Sequence, residues 1–282
     1  MAAIQNPTIS DYINQLNSDL STLKDIMEEK GVTVTSSDNF TTLCPKVADI
    51  GTGAKLAPTN INFKGCTDSS IDLTYLDTKN MTSMSEMFRN CTNLTSLDVS
   101  NLDFSTITNM SSFLRGCPAL TSLNLGTINS SSCTDMSYMF SGSSNITSCT
   151  LTNIDTSHVT TFVSFFNTFG SNTIAQDIAR KMVTTSATVM DFMFYDCSSF
   201  THLNLSYFVT PALTSTNAMF SGCSSLQELD IRNMTFSLVS NSGGMFNYVP
   251  NDCLIIVKDN TEKTWITSRF SNLTNVRTVA EL

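Results

Sequence analysis

The chain has 282 residues, of which 41% are hydrophobic and only 14% charged, and its formal net charge is −9. That much apolar material can build a core, while the acidic balance and the lack of any basic cluster exclude nucleic-acid backbones and anionic membranes as partners, since both reward clustered Lys and Arg. Ser, Thr and Asn stand where Lys and Glu are usual, which predicts a neutral, hydrogen-bonding surface.

The opening MAAIQNPTISDY has neither a basic n-region nor an apolar h-region, and no later run reaches the ~18 apolar residues of a membrane helix, so neither a secretory signal nor a transmembrane segment is expected. Ile9, Ile13, Leu16, Leu20, Leu23 and Met27 follow one another in steps of four and three, the seam of a coiled coil. Thr8 or Ser10 can cap that helix and Gly31 can end it. Residues 1–31 are therefore expected to oligomerise or dock, and isoleucine at the first two seam positions favours a homotrimer. An ordinary surface helix shows the same stripe over this length.

Residues 32–58 hold Val32-Thr33-Val34, a second helical stretch with Phe40, Leu43, Val47 and Ile50, and a Gly-containing linker that ends at Pro58. This order, from Thr8 to Ile50, resembles the N-terminal segments of tail-fibre and other appendage proteins of tailed phages. The resemblance implies short helices that trimerise a fibre or dock it onto a virion, with other virion proteins as partners.

From Met84 onward one segment recurs: MSEMFRNCTNLTSLDV at Met84, MSSFLRGCPALTSLNL at Met110, MSYMFSGSSNITSCTL at Met136, MDFMFYDCSSFTHLNL at Met190 and TNAMFSGCSSLQELDI at Thr216. The step is 26 residues, except for one weaker copy of 28 residues that opens at Phe162. A fixed period of this size marks a solenoid, because a unit so short buries one face only and completes its core on its neighbours. In the first copy the apolar positions are Met84, Met87, Phe88, Cys91, Leu94, Leu97, Val99, Leu102 and Ile107. Met84, Met87 and Phe88 have helical spacing, whereas Leu97 and Val99 alternate as in a strand, so each unit is expected to be one short helix and one short strand.

The pattern resembles the BspA-like leucine-rich repeats of bacterial surface proteins, from about Thr59 to Leu282. The resemblance implies an α/β fold, a leucine-rich repeat solenoid with a parallel β-sheet, over residues 59–252. Its leading copy is divergent, with Phe63, Cys66, Ile71, Leu73 and Leu76. Residues 253–282 then read as a C-terminal cap, with a helix from Thr261 to Phe270 around Trp265. The 28-residue unit replaces its leucine strand by Ile174, Ile178 and Met182 at four-residue spacing, which predicts a helix bulging from the stack. Its charged residues Asp177, Arg180 and Lys181 would either be an incidental surface or touch another virion protein.

Nine cysteines are present, and Cys91, Cys117, Cys197 and Cys223 share position 8 of the repeat, where Ser143 and Phe169 substitute. An odd count, these substitutions and parallel side-chain vectors argue for reduced thiols buried in a column, and no Cys-x-x-Cys spacing points to zinc. His158 and His202 lie in no catalytic or metal-ligating arrangement, there is no phosphate-binding glycine loop, and no carboxylate pair recurs. No cofactor, no metal and no enzymatic activity are expected.

If the solenoid binds a ligand, the outward residues of its strand ribbon are the expected face: Asp98, Ser100, Asn124, Thr150, Thr152, Asn204, Ser206, Asp230 and Arg232. Such a stripe is polar and lacks the aromatic platform usual for glycan or tight protein contacts. The sequence thus points to a non-enzymatic virion protein, a tail fibre, appendage or head fibre that displays repeats to a host surface protein or glycan. A bacterial or protist cell-surface adhesin explains the same repeats, and an intracellular scaffold fits the low charge poorly.

Overall fold

The computed structural model describes residues 59–282 apart from 60 and 75. The seam from Ile9 to Met27 and the stretch from Phe40 to Ile50 lie outside the described residues. The rest is a parallel β-solenoid. Strands β1 (Ser96–Asp98), β2 (Ser122–Ile128) and β3 (Ser148–Ile154) form one sheet; β4 (His202–Asn204), β5 (Glu228–Asp230), β6 (Leu254–Val257) and β7 (Val276–Thr278) form a second. Leu97 pairs with Leu123 and Leu123 with Cys149, as Leu203 pairs with Leu229 and Leu229 with Ile255. Residues one period apart thus stack directly, and the alternation of the sequence becomes a row of inward leucines.

The other half of each unit is not the expected short helix. In every rung the third and seventh residues have positive φ: Glu86, Ser112, Tyr138, Ser164, Phe192, Ala218 and Gly244 at the third, and Asn90, Gly116, Gly142, Thr168, Asp196, Gly222 and Tyr248 at the seventh. A left-handed residue every four positions forbids an α-helix. Instead, overlapping turns run from Met84 to Cys91, with Met87 N–H donating to the Met84 carbonyl at 3.2 Å and Arg89 N–H to that of Glu86 at 3.0 Å. Alternate amides leave the unit altogether. Met84, Glu86, Phe88 and Asn90 donate to the carbonyls of Asn109, Ser111, Phe113 and Arg115 on the next rung, at 2.8–2.9 Å. Three-residue turns give the same apolar spacing as a helical turn, so the pattern fixed which residues point inward but not where their backbone bonds go. The α/β class is accordingly corrected to a β-solenoid, with two α-helices among the described residues.

Just before each turn segment a second ladder runs unbroken from Ser83 through Asn109, Asp135, Thr161, Val189 and Ser215 to Asn241. Between the two flanks lies a phenylalanine column. Phe140, Phe166, Phe194, Phe220 and Phe246 stack at successive centroid distances of 5.9, 5.4, 5.8 and 5.7 Å. Each such pair adds about 0.5–1.5 kcal/mol beyond its area burial.

The 28-residue unit splits the strand ribbon. Its helix α1 (Asn172–Ala179) starts at Ser171, whose side chain accepts from Ile174 N–H, and it buries Ala175, Ile178 and Ala179. Contrary to the expected bulge, α1 takes the place of the missing strand between β3 and β4. Gln176 plays the part of a peptide unit: its Nε2 donates to the His202 carbonyl at 3.0 Å and its Oε1 accepts from Asn204 N–H at 3.1 Å. Asn172 Nδ2 donates to the same His202 carbonyl at 2.8 Å. Two amide side chains thereby satisfy the edge of β4 that a neighbouring strand would otherwise occupy. The chain enters this unit through Gly170, where a Cβ would sit 1.9 Å from the Ser144 carbonyl oxygen.

At the far end, α2 (Asn260–Arg269) is capped by Asp259, which accepts from the amides of Thr261 and Glu262. Trp265 stacks on Phe236 at 4.7 Å, and Phe270 meets Phe246, the last ring of the column, edge-on at 5.0 Å. Buried Glu262 accepts from Phe236 N–H at 3.2 Å.

Candidate functional site

The strand-ribbon residues singled out in the sequence are brought into one row, but most are occupied in holding the chain. Asp98, Asn124, Asn204 and Asp230 each accept from the backbone amide two residues on, at Ser100, Gly126, Ser206 and Arg232, at 2.9–3.2 Å. At Asp98, Asn204 and Asp230 these turns end the strands, whereas at Asn124 the turn lies inside β2, where the register with β3 shifts. The Ser100 hydroxyl and amide hold the Asp98 carboxyl below the ordinary aspartate range, with a further bond from Asn124. Asp230 is itself buried and takes a salt bridge from Arg232 at 2.5 Å. Thr150 and Thr152 are exposed in the longer β3, where no turn engages them.

The abundant hydroxyls are likewise structural. Thr95, Thr121 and Thr147 each donate to the carbonyl one rung back, at Ser69, Thr95 and Thr121. Thr108, Thr134, Thr160, Thr188 and Thr214 repeat this along the other flank. The position-8 column acts in the same way: Cys91, Cys117, Cys197 and Cys223 donate through sulfur to the carbonyls of Phe63, Phe88, Phe166 and Phe194 at 3.0–3.1 Å. Ser143 makes the equivalent bond to Leu114 at 2.7 Å, which explains why serine replaces cysteine there. Burial pushes the Cys223 thiol up to about 12, so it carries almost no nucleophilic thiolate near neutral pH. Among the described residues no His, Cys, Asp and Glu group could hold a metal ion. His158 and His202 are exposed, and among the described residues their rings bond to a neighbouring hydroxyl, of Ser157 and Thr201.

What the sequence reading missed lies on the opposite side, along the turns. The left-handed third position costs a residue with a Cβ about 1–2 kcal/mol, yet Tyr138 and Phe192 occupy it with φ of 59° and 57°. Arg115 of the preceding rung covers the Tyr138 ring at 4.5 Å from its centroid, and Tyr195 meets Phe192 edge-on at 5.7 Å. Two rungs further, at the seventh position rather than the third, Tyr248 at φ 62° is 81% exposed. A search for aromatics at strand positions could not find this row; a search at the positions between the apolar ones of the turn would have. A smaller apolar group, Val183, Tyr207 and Val209, is exposed beside the sheet break, with Arg180 at 5.8 Å from the Tyr207 ring. Phe208 is fully buried.

Fold and surface define a class: a parallel β-solenoid of 26-residue turns, matching BspA-like repeats in spacing and residue type. The chain belongs to the family described as Mycoplasma protein of unknown function, DUF285, which matches residues 59–179 and again 144–256. Neither a curated protein nor a solved structure matches the chain. No helix among the described residues is long and apolar enough to cross a membrane.

Proposed function

We propose that this chain is a non-enzymatic adhesion protein, a stiff solenoid that displays one long face to a host or its surroundings and is carried on a virion as a fibre or appendage. The observation that carries the adhesion reading is the division of labour among the polar side chains. Asx turns, hydroxyl ladders and the cysteine column consume the strand face and the flanks, while the turn face keeps half-buried Tyr138 and Phe192 and exposed Tyr248 outside the core. The finer virion reading draws its support from the seam Ile9 to Met27 and the phage-like segment Thr8 to Ile50, with a homotrimer as the expected assembly. The BspA-like repeats and the family favour a second reading, a cell-surface adhesin.

Mass spectrometry of purified, nuclease-treated particles, washed envelopes and cytosol from the source culture separates these readings. Stoichiometric recovery in particles supports the virion protein. Recovery in envelopes alone overturns it in favour of the cell-surface adhesin, and recovery in cytosol alone overturns both.

A further inference from the structure

We infer that the turn face is a binding site for an extended neutral polysaccharide; this rests on the adhesion reading and gives it a surface and a ligand class. Three observations converge. First, Tyr138, Phe192 and Tyr248 occupy left-handed backbone positions that other rungs fill with Ser112, Ser164, Ala218 or Gly222. Aromatic rings there oppose the local preference and are only half-buried or exposed, so core packing does not account for them. Second, Tyr138 and Phe192 share the third position two rungs apart, with Ser164 between them, whereas Tyr248 stands at the seventh position of a rung whose third residue is Gly244. Parallel rungs are about 4.8 Å apart, so the Tyr138 and Phe192 rings lie about 10 Å apart along the axis. That interval is comparable with the length of a disaccharide in an extended chain, and a polymer lying along the solenoid would meet both rings. Third, the surface is almost uncharged. Between Met136 and Val249 the turn segments carry no Lys or Arg, and of their two carboxylates Asp191 is taken by Ser215 and Asn217. Apart from Arg115 of the preceding rung, which lies over the Tyr138 ring, a polyanion has nothing in these segments to pair with. Sugar rings, by contrast, offer C–H faces to aromatic rings and hydroxyls to uncharged donors. Both are available: the half-buried Asn167 amide donates to no acceptor among the described residues, and its oxygen accepts from Ser141 at 3.5 Å.

The test is native affinity electrophoresis of the full chain in gels containing a soluble β-glucan, mannan, galactan or α-glucan, with heparin as the acidic comparator, alongside adhesion to host cells. The variant combines Tyr138→Ser and Phe192→Ala, residues the protein itself uses at that position, and a thermal melt confirms its fold; Thr127→Ala on the strand side is the control. We expect retardation by a neutral polysaccharide, weakened at least about tenfold in the double variant, a factor equal to about 1.4 kcal/mol, and unchanged in Thr127→Ala. Adhesion without retardation by any neutral polysaccharide overturns this inference and leaves the adhesion reading standing. Retardation that the double variant keeps places the site elsewhere and also overturns it. Adhesion that survives periodate oxidation of cell glycans but is lost in the double variant would mean a protein ligand instead. Absence of both retardation and adhesion sinks the inference and the adhesion reading together.

Discussion

Replacing Gln176 by Met tests whether a side-chain amide stands in for a strand at the break in the ribbon. The substitution keeps the aliphatic stem of a half-buried residue but removes the donor to the His202 carbonyl and the acceptor of Asn204 N–H. Two hydrogen bonds at about 0.5–1.5 kcal/mol each give a loss of about 1–3 kcal/mol. His202 and Asn204 are exposed and Asn172 still serves the His202 carbonyl, so water offsets part of this and the expected loss is about 1–2 kcal/mol. For a body of this size that lowers Tm by about 2–8 °C. Hydrogen exchange followed by NMR gives the local readout: the Asn204 amide should lose protection in Gln176→Met and keep it in Gln176→Glu, which retains the acceptor. Leu205 N–H, which donates forward to the Asp230 carbonyl at 2.8 Å, should be little affected in either variant. An Asn204 amide that stays protected in Gln176→Met, with an unchanged Tm, would refute the idea that Gln176 completes the sheet edge.

In the cysteine column, Cys117→Ser preserves the donor and copies Ser143, so urea denaturation should show a loss below about 1 kcal/mol, whereas Cys117→Val keeps the bulk without the donor and should cost about 1–3 kcal/mol more; equal losses would mean the bond is immaterial. Burial holds the Glu262 carboxyl above its ordinary range, so the folded state favours its protonated form and the associated stability falls as pH rises through that raised value. Melts of Glu262→Gln, which can still accept from Phe236 N–H, should therefore exceed the parent at pH 7 and converge with it below about pH 4. Asp98 and Asp155 have the opposite sign: bonds from Ser100 and Ser157 lower their carboxyls, so their stabilisation holds above the ordinary aspartate range and is lost as pH falls through the lowered values. Acid melts of a double Asp98→Asn, Asp155→Asn variant should show a shallower decline than the parent. Gly170→Ala pushes a Cβ into the Ser144 backbone and should cost about 1–3 kcal/mol in thermal melts, while at Gly243 the nearest atom is a side-chain oxygen of Asn217 at 3.1 Å and alanine should be tolerated.

The candidate site was only partly legible. Asp98, Asn124, Asn204 and Asp230 were read as outward polar residues, and they do line the strand side, but an Asx turn and a solvated ligand contact use the same residue types. Tyr138, Phe192 and Tyr248 passed unnoticed because each sits between apolar core positions and looks like part of the hydrophobic pattern. A clue was present in Asn90, Gly116, Gly142 and Gly222, left-handed formers at one register position. They mark the segment as turns, and thereby turn Tyr138 and Phe192 from helix residues into surface residues.

The sequence by itself determined the period, the parallel stacking and the inward set of Met, Phe, Cys and Leu, because a 26-residue repeat that buries one face has no other way to complete its core. It also determined that the 28-residue unit carries a helix, since Ile174 and Ile178 keep that spacing over a run long enough to form α1. Only the tertiary structure decided the partners of the backbone. Whether an amide such as Phe88 N–H bonds within its own unit or to Phe113 on the next rung depends on a neighbour 25 residues away, and apolar periodicity is identical in the two cases. For the same reason only the structure could place α1 inside the ribbon, where Gln176 meets the edge of β4, because that fit depends on a strand that begins at His202.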